Sequence, residues 1–452
     1  MTDKVQAVNT REIALKVLCD INQNGNFSHT VMNKTLNQYQ NLSKQDRAFI
    51  TRICEGTLER MITLDYVINL YSKIKVNKMK PYIRNLLRMS LYQLHYMSQV
   101  PDSAVCNEAV KLVKSKGFAN LSGFVNGVLR TIIREKDAIT YPKEEDRVNY
   151  LSVTYSMPVW ILENWLREYD YSTVKRMLET FLEDKETTIR CNTSKIAIEE
   201  LKVLLEQEAL KVSPGRYHKE ALRISDYNYL TSLQSFQAGY YTVQDESSML
   251  VGTVAGVNTG DYVIDVCSAP GGKALHIADK LKGTGVVDAR DLTLYKVGLI
   301  NENIERTGYT NIKASVSDAL LLDTDSIHKA DVVVADLPCS GLGVIGKKPD
   351  IKYNMTREKQ QDLVKLQREI LKVVHSYVKS GGVLLYSTCT IHKEENIGNV
   401  MWLVKEFGYT LESLDDYLPD VLKSETTKKG YIQLIPGLHE TDGFFVARLR
   451  KN

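Results

Sequence analysis

The sequence has few cysteines, and their spacing excludes two common classes of protein. There are seven in 452 residues, an odd number, and no two of them form a CxxC pair. This argues against a disulfide framework and against a zinc site, so we expect no bound metal. We expect the thiols to stay reduced; they belong to Cys19, Cys54, Cys106, Cys191, Cys267, Cys339 and Cys389.

Long apolar runs are also missing. No segment approaches the ~18 consecutive apolar residues that a membrane helix needs. The start, MTDKVQAVNTREIALKV, carries early charges and lacks the apolar centre of a signal peptide. We therefore expect a cytoplasmic protein without membrane contact, and its length predicts two or three domains.

The charge is unevenly distributed along the chain. The net charge is +3, but residues 1–140 contain 20 Lys and Arg against 11 Asp and Glu, and the remainder contains 38 against 44. A basic N-terminal third on a slightly acidic body indicates a module that binds a polyanion. A merely solvated basic surface would fit the charge equally well.

The periodicity of apolar residues divides the chain into three predicted domains. Residues 1–138 show helical spacing throughout, with Ile13, Val17 and Ile21 on one face. Residues 139–238 mix helical patterns with short strands and predict a small α+β unit. Residues 239–452 alternate strands and helices, and apolar strands in that order predict a doubly wound, largely parallel sheet covered on both faces.

A glycine loop follows the first strand of the third domain. The stretch DVCSAPGGK (265–273) leads into a predicted helix. Gly271 and Gly272 let the backbone turn sharply and approach a ligand, and the helix N-terminus favours an anionic group. The loop is neither the G-x-G-x-x-G of dinucleotide-binding folds nor a Walker loop.

Acidic residues end the next two strands. Asp291 falls at the tip of VVDARD, where a carboxylate can hold the two hydroxyls of a ribose, whereas Asp288 lies inside the strand. Asp318 ends the third strand and could bind an adenine amino group. A nucleoside without phosphates fits this loop and these acids, and S-adenosylmethionine meets that description.

Two further strands end in thiols, Cys339 in ADVVVADLPCSG and Cys389 in GVLLYSTCT. Buried cysteines usually pack as small hydrophobic groups, and we expect that of the cysteines in the first two domains. Methyl transfer to C5 of a cytosine, however, needs a thiolate that adds to C6 and a second group that assists release. Two thiols beside a cofactor loop match this requirement, and their order along the chain leaves open which one attacks.

At these residues the chain resembles the RNA 5-methylcytosine methyltransferases of the RsmB/NOL/NSUN group. The matching motifs are VQDESS, CSAPGGK, DLPCSGLG, YSTCT followed by EEN, and DGFFVARL. The chain departs from the family forms at Ser268, Leu337 and Thr390, and none of these changes removes a chemical group.

The resemblance implies roles for individual residues. It implies that Cys389 is the nucleophile, that Cys339 assists release of the product, and that Asp336 contacts the cofactor or the target base. It also assigns S-adenosylmethionine to a set of binding residues: Cys267, Ser268, Ala269, Pro270, Gly271, Gly272, Lys273, Asp291, Asp318 and Asp336.

The stretches TREIALKVL and VPDSAVCNEAVKLVKSKGFANLSGFVNGVLR in the first domain resemble the NusB-type helical RNA-binding domain. Within the family, a NusB-like domain ahead of the catalytic domain implies methylation of a cytosine in 16S ribosomal RNA. The alternatives are the same chemistry on tRNA, a non-catalytic RNA-binding assembly factor, and a nicotinamide oxidoreductase. Basic residues that could neutralise RNA phosphates form two runs: Lys73, Lys75, Lys78 and Lys80, and Lys347, Lys348 and Lys352.

Overall fold

The computed structural model of the chain describes residues 9–39, 41–184 and 186–452. Its α-helices are α1 (Thr10–Asn24), α2 (Ser28–Gln38), α3 (Lys44–Glu59), α4 (Met61–Tyr71), α5 (Pro81–Tyr96), α6 (Asp102–Ser115), α7 (Ser122–Arg134), α8 (Arg147–Tyr155), α9 (Val159–Glu168), α10 (Tyr171–Thr180), α11 (Ile198–Gln207), α12 (Gln234–Gln237), α13 (Glu246–Val254), α14 (Gly272–Lys280), α15 (Leu294–Thr307), α16 (Ile351–Asn354), α17 (Arg357–Val374), α18 (Asn399–Phe407) and α19 (Glu425–Lys428).

The strands are β1 (Thr187–Cys191), β2 (Lys211–Pro214), β3 (Ala221–Ser225), β4 (Tyr241–Val243), β5 (Tyr262–Asp265), β6 (Val286–Asp291), β7 (Ile312–Val316), β8 (Ala330–Asp336), β9 (Val378–Thr388), β10 (Thr410–Leu411), β11 (Tyr431–Leu434) and β12 (Phe444–Arg450). A π-helix spans Glu394–Gly398. Single 3₁₀ turns lie at Val76–Lys78, Ala119–Leu121, Lys136–Ala138, Leu230–Ser232, Thr324–Ser326, His375–Tyr377 and Asp420–Leu422.

The chain forms two compact units. The first, which we call the helical unit, contains the described residues up to Leu182 together with Ile345–Asn354; the second, the sheet unit, contains Glu183–Val344 and Met355–Asn452. Residues 1–8, where the first predicted domain begins, lie outside the described residues. The predicted boundaries near 138 and 238 stay a prediction.

The helical unit contains α1–α10 and α16. The predicted apolar face of α1 is buried, with Ile13, Val17 and Ile21 packed in one core with residues of α3 and α5. Helix α5 is buried around most of its circumference, as expected of a central helix. The lysines at 73, 75, 78 and 80 are all exposed, so the predicted basic run is available to solvent.

The segment Ile345–Asn354 is anchored in the helical unit by buried polar contacts. Asp350 accepts hydrogen bonds from the backbone N–H of Ser28 (3.1 Å) and from its Oγ (2.5 Å). Lys352 Nζ donates to the Glu59 carbonyl at 2.8 Å, and burial lowers the pKa of Lys352 to about 7. Lys352 is therefore not available to neutralise an RNA phosphate, whereas Lys347 and Lys348 of the same run are exposed.

The sheet unit begins with a small antiparallel sheet of order β2-β3-β1-β4. Leu201 and Leu205 of α11 pack on it with Ile189 and Ile224. The predicted mixture of short strands and a helix in this region is confirmed.

The large sheet has the order β10-β12-β9-β8-β5-β6-β7, and β11 pairs with β12. Strands β5–β9 are mutually parallel, and β12 runs antiparallel to its neighbours. In β8, Val332 and Val334 join the core on one face, whereas Val333 and Ala335 join the core on the other. Because both faces are covered, the strand is apolar at successive positions. The predicted doubly wound fold is confirmed.

The strand order reverses at β5, which pairs with β6 on one side and with β8 on the other. In such sheets ligands bind beyond the carboxyl ends of the strands at this switch point. No helix in the described part of the chain is long and apolar enough to cross a membrane.

Candidate functional site

The parallel strands bring the predicted site residues to one edge of the large sheet. Read across the sheet from β7 to β9, the strand ends carry Asp318, Asp291, the Cys267–Lys273 loop, Asp336 with Cys339, and Cys389. Residues separated by more than 120 positions in sequence thus lie along one line. The acids and the glycine loop occupy one half of it, and the thiols occupy the other.

The loop between β5 and α14 is held in a tight turn. The N–H of Gly271 donates to the Ser268 carbonyl at 2.7 Å, and the N–H of Ser268 donates to the Arg290 carbonyl at 2.8 Å. Gly271 has φ +104°, a conformation that side chains disfavour. The Ala269–Pro270 peptide bond is cis. Helix α14 starts directly after this turn, so its N-terminal N–H groups face the loop.

The two predicted cofactor acids differ in their surroundings. Asp291 is buried; its Oδ2 accepts the N–H of Ala269 at 2.9 Å, and its Oδ1 lies 3.0 Å from Lys296 Nζ. Asp291 therefore braces the glycine loop, and its carboxylate retains further lone pairs for a ligand. Asp318 is partly exposed after β7 and accepts the N–H of Leu320 at 2.9 Å. Asp288, by contrast, is buried in an ion pair with Arg290, which agrees with its prediction as an interior residue.

The loop and the end of β5 also contain buried polar atoms whose hydrogen-bonding capacity is not fully used. Within the described residues, both carboxylate oxygens of Asp265 and the Oγ of Ser268 have no well-aligned hydrogen-bond partner. Burial, together with the negative charge of Asp336, raises the pKa of Asp265 to about 7, against the smaller opposing effects of Ser268 and Lys273. Unsatisfied buried groups beside a glycine turn fit a polar ligand such as S-adenosylmethionine.

Asp336 connects the two halves of the site. Its Oδ2 lies 2.7 Å from Lys273 Nζ, and its Oδ1 accepts the hydroxyl of Ser387 at 2.7 Å. Burial lowers the pKa of Lys273, but the negative charges of Asp336, Asp265 and Cys389 leave it above its ordinary value. The sequence placed Lys273 with the cofactor residues alone, and its proximity to the thiols depends on tertiary structure.

The two thiols are neighbours. Cys339 Sγ and Cys389 Sγ lie 3.3 Å apart, and both residues are partly exposed. The hydrogen bond to Cys389 raises the pKa of Cys339 well above its usual value, and burial adds to this effect. Cys339 is therefore the member of the pair whose thiol stays protonated.

The other cysteines pack as predicted or lie away from the thiol pair. Cys54, Cys106 and Cys191 are buried, and Cys19 is partly buried. Burial and the nearby acids raise the pKa of Cys267, so its thiol stays protonated. Among the described residues no cluster of three or more His, Cys, Asp or Glu side chains could hold a metal ion.

The family models match most of the chain in three segments. Residues 253–450 match the model for 16S rRNA methyltransferase RsmB/F, residues 8–134 match the NusB family, and residues 157–229 match the ferredoxin-like domain of RsmF/B-like methyltransferases. The NusB-like character predicted for the N-terminal helices is thereby confirmed.

Two curated relatives match the chain over almost its whole length. The probable ribosomal RNA small subunit methyltransferase B of Bacillus subtilis (strain 168) is 35% identical over 99% of this chain and 100% of its own length. The corresponding Synechocystis protein is 29% identical over 98% of this chain and 100% of its own length.

Two crystal structures share the fold. PH0851 superposes with a TM-score of 0.83 at 24% identity, covering 98% of this chain and 99% of its own. NSun6 from Pyrococcus horikoshii with SFG has a TM-score of 0.57 at 25% identity, covering 64% of this chain and 97% of its own. The chain, with its glycine loop and paired thiols, belongs to the RsmB/F family of 16S rRNA methyltransferases and is an S-adenosylmethionine-dependent RNA methyltransferase.

Proposed function

We propose that the enzyme methylates C5 of a specific cytosine in 16S ribosomal RNA through a covalent bond between Cys389 and C6. The observation that carries this proposal is the 3.3 Å separation of the Cys339 and Cys389 sulfurs, at the ends of neighbouring strands. Methylation of an oxygen or an exocyclic nitrogen would require no thiol, whereas C5 of cytosine requires a nucleophile at C6.

The electrostatics favour Cys389 as the nucleophile. Cys339 is the thiol whose pKa is raised by the hydrogen bond to Cys389, which favours Cys389 as the member of the pair that carries a negative charge. The Lys273 ammonium interacts with that charge, and a nearby cation favours a thiolate. The sequence pattern left the roles open, and this asymmetry supports the assignment that the family resemblance implies.

The reaction then uses each group in order. The Cys389 thiolate forms a bond to C6, and the electron pair displaced onto C5 takes up the methyl group, which bound S-adenosylmethionine would supply with S-adenosylhomocysteine as the leaving group. A base then removes the C5 proton, and the C6–sulfur bond breaks to regenerate the Cys389 thiolate and the aromatic ring.

Cys339 fits the release step for a physical reason. Its pKa is raised mainly by its hydrogen bond to Cys389. Once Cys389 is bonded to C6 it carries no negative charge, so the main cause of the raised pKa disappears. Cys339 can then lose its own proton to solvent and, as a thiolate, accept the C5 proton beside the departing sulfur.

The cofactor residues are assigned as follows. Asp291 would hold the ribose hydroxyls, Asp318 the adenine, and the Cys267–Lys273 loop the methionine end. The buried, incompletely bonded carboxylate of Asp265 and hydroxyl of Ser268 support a polar ligand here. The substrate assignment rests on the relatives, which are named as small-subunit ribosomal RNA methyltransferases.

The test is methyl transfer to a protein-free 16S rRNA transcript, with the digested RNA analysed for 5-methylcytosine by mass spectrometry. Wild type is compared with Cys389→Ala, Cys339→Ala and a control, Cys19→Ala in the helical unit, with bulk tRNA as the competing substrate. We expect product from wild type and control, none from Cys389→Ala, and a covalent protein–RNA adduct from Cys339→Ala. Product on tRNA alone would refute the substrate, and product from Cys389→Ala would refute the covalent mechanism.

A further inference from the structure

The residues that follow the two cysteines contact each other, and one of them also binds a buried acid. Ser340 follows Cys339 and Thr390 follows Cys389, and their hydroxyl oxygens lie 2.8 Å apart. Glu395 Oε1 accepts the Ser340 hydroxyl at 2.5 Å, and its Oε2 accepts the Ser340 N–H at 2.8 Å. Glu395 is fully buried, so this carboxylate is not a solvated surface acid.

The Cys339 loop is held on both sides of the cysteine. Gln367 of α17 donates from Nε2 to the Pro338 carbonyl at 2.9 Å and to Glu395 Oε2 at 3.1 Å. Glu395 holds Ser340 on the other side. The backbone just before and just after Cys339 is therefore bound to one buried Gln–Glu pair.

The Cys389 loop is held in the same manner by Asn396, the residue that follows Glu395. Asn396 Nδ2 donates to the Thr390 carbonyl at 2.9 Å, and its Oδ1 accepts the hydroxyl of Thr388. Asn396 is buried and is kept in place by Gln433, whose Oε1 accepts from Asn396 Nδ2 at 2.6 Å. The residues before and after Cys389 are thus both bound to Asn396.

Both contacts originate from one π-helical turn, Glu394–Gly398. The Gly398 N–H donates to the Lys393 carbonyl, five residues earlier, at 2.9 Å. π-Helical turns are rare and frequently occur at functional sites. Here the turn carries two consecutive buried polar residues, one for each cysteine loop.

We infer that Glu395 and Asn396 are positioning residues that fix the separation of the two sulfurs, Glu395 through the Cys339 loop and Asn396 through the Cys389 loop. The inference deepens the proposed function and rests on it for its chemical meaning. Both side chains contact the loops and act through the cysteines. They control the release step, in which Cys339 accepts the C5 proton of the cytosine that is bonded to Cys389.

The test uses two variants that alter one loop each. Glu395→Gln keeps the shape but replaces one acceptor oxygen by an N–H₂ group. The Cys339 loop then loses either the acceptor of the Ser340 hydroxyl or the acceptor that the Ser340 N–H shares with Gln367. Asn396→Asp removes the donor to the Thr390 carbonyl. Glu394→Gln, an exposed position in the same turn, is the matched control, and Ser340→Ala is a milder second variant for the Cys339 loop.

The first readout needs no RNA. Full-length protein is treated with iodoacetamide, and the alkylation rates of Cys339, Cys389 and Cys267 are followed by mass spectrometry. We expect Glu395→Gln and Ser340→Ala to accelerate alkylation of Cys339 several-fold and Asn396→Asp to change that of Cys389, with Cys267 unchanged. Equal changes at all three cysteines, or none, would overturn the inference, because a general loss of structure does not distinguish the two loops.

The second readout is turnover on 16S rRNA transcript. Small displacements of reacting groups cost up to about 100-fold in rate, so we expect kcat to fall roughly 10- to 100-fold in Glu395→Gln and Asn396→Asp. The KM for RNA and the Kd for S-adenosylhomocysteine should stay within about twofold of wild type. A loss of S-adenosylhomocysteine binding or a wild-type kcat would overturn the inference. If wild type itself makes no 5-methylcytosine, the proposed function fails, and the alkylation rates decide the positioning role independently.

Discussion

Lys273 Nζ lies 2.7 Å from Asp336 Oδ2, so that the last residue of the glycine motif pairs with the last residue of strand β8. The pair spans the switch point of the sheet, where β5 and β8 are adjacent. Its positive end interacts with Cys389 and its negative end with Asp265. The pair thus couples the proposed nucleophile electrostatically to the acid beside the proposed cofactor loop.

Replacing Lys273 by methionine should weaken the nucleophile. Without the ammonium, the Cys389 thiolate is less favoured, and a nearby opposite charge typically shifts a pKa by about 1–3 units. We expect kcat/KM at neutral pH to fall about 10- to 100-fold and its rise with pH to move to higher pH. Lys282→Met, at an exposed position just beyond α14, is the control. An unchanged pH profile in Lys273→Met would contradict the role.

The raised pKa of Asp265 predicts that stability falls as the pH rises from mildly acidic to neutral. Its pKa is about 7 in the folded chain and about 4 in an unfolded one. Between these values the folded state binds more protons, so the free energy of unfolding decreases as pH rises. The total effect is at most about 4 kcal/mol. Urea unfolding of cofactor-free wild type and Asp265→Asn from pH 5 to 8 should show a smaller decrease in the variant; parallel curves would contradict the raised pKa.

Lys352 predicts the opposite slope in a different pH range. Its pKa is about 7 in the folded chain and about 10.4 in an unfolded one. Between these values the unfolded state binds more protons, so the free energy of unfolding increases as pH rises. Lys352→Met should lose this increase between pH 7.5 and 10, whereas Lys347→Met, at an exposed position, should keep it. Thermal unfolding across this range provides the measurement.

Gly343 should tolerate no side chain. A Cβ there would lie 2.1 Å from the Gly443 carbonyl oxygen and 2.8 Å from that of Cys389. Overpacking of this kind costs about 1–3 kcal/mol, and in Gly343→Ala it would also displace the nucleophile. We expect lower stability and a lower kcat. Gly298→Ala on α15, where nothing lies within 4 Å of an added Cβ, should be neutral or slightly stabilising; equal behaviour of the two variants would contradict the close contact.

The sequence alone was sufficient to predict which residues lie at the ends of the parallel strands. The apolar run in β8 and the acid at the tip of β6 are local patterns, and local patterns determine strand boundaries and the direction of alternate side chains. Asp291 was therefore distinguished from Asp288 by counting, and the structure places Asp288 in an internal ion pair.

Contacts between distant segments could not be predicted in this way. The EEN motif was noted as a family match, but nothing in its spacing indicates that Glu395 binds Ser340, 55 residues earlier. Lys352 was grouped with lysines that could neutralise RNA phosphates, and only the tertiary structure shows its bond to the Glu59 carbonyl. These contacts depend on which segments the fold brings together, and that information is distributed over the whole chain.

The assignment of Ile345–Asn354 to the helical unit has a consequence for how the polypeptide can be divided. The chain passes between the units near residues 182, 344 and 354. A fragment that ends at Leu182 would leave the Ser28 N–H and the Glu59 carbonyl without the partners that Asp350 and Lys352 supply. A gene cut at this point would therefore yield a helical piece that lacks Ile345–Asn354 and a sheet piece that carries this segment without its packing partners.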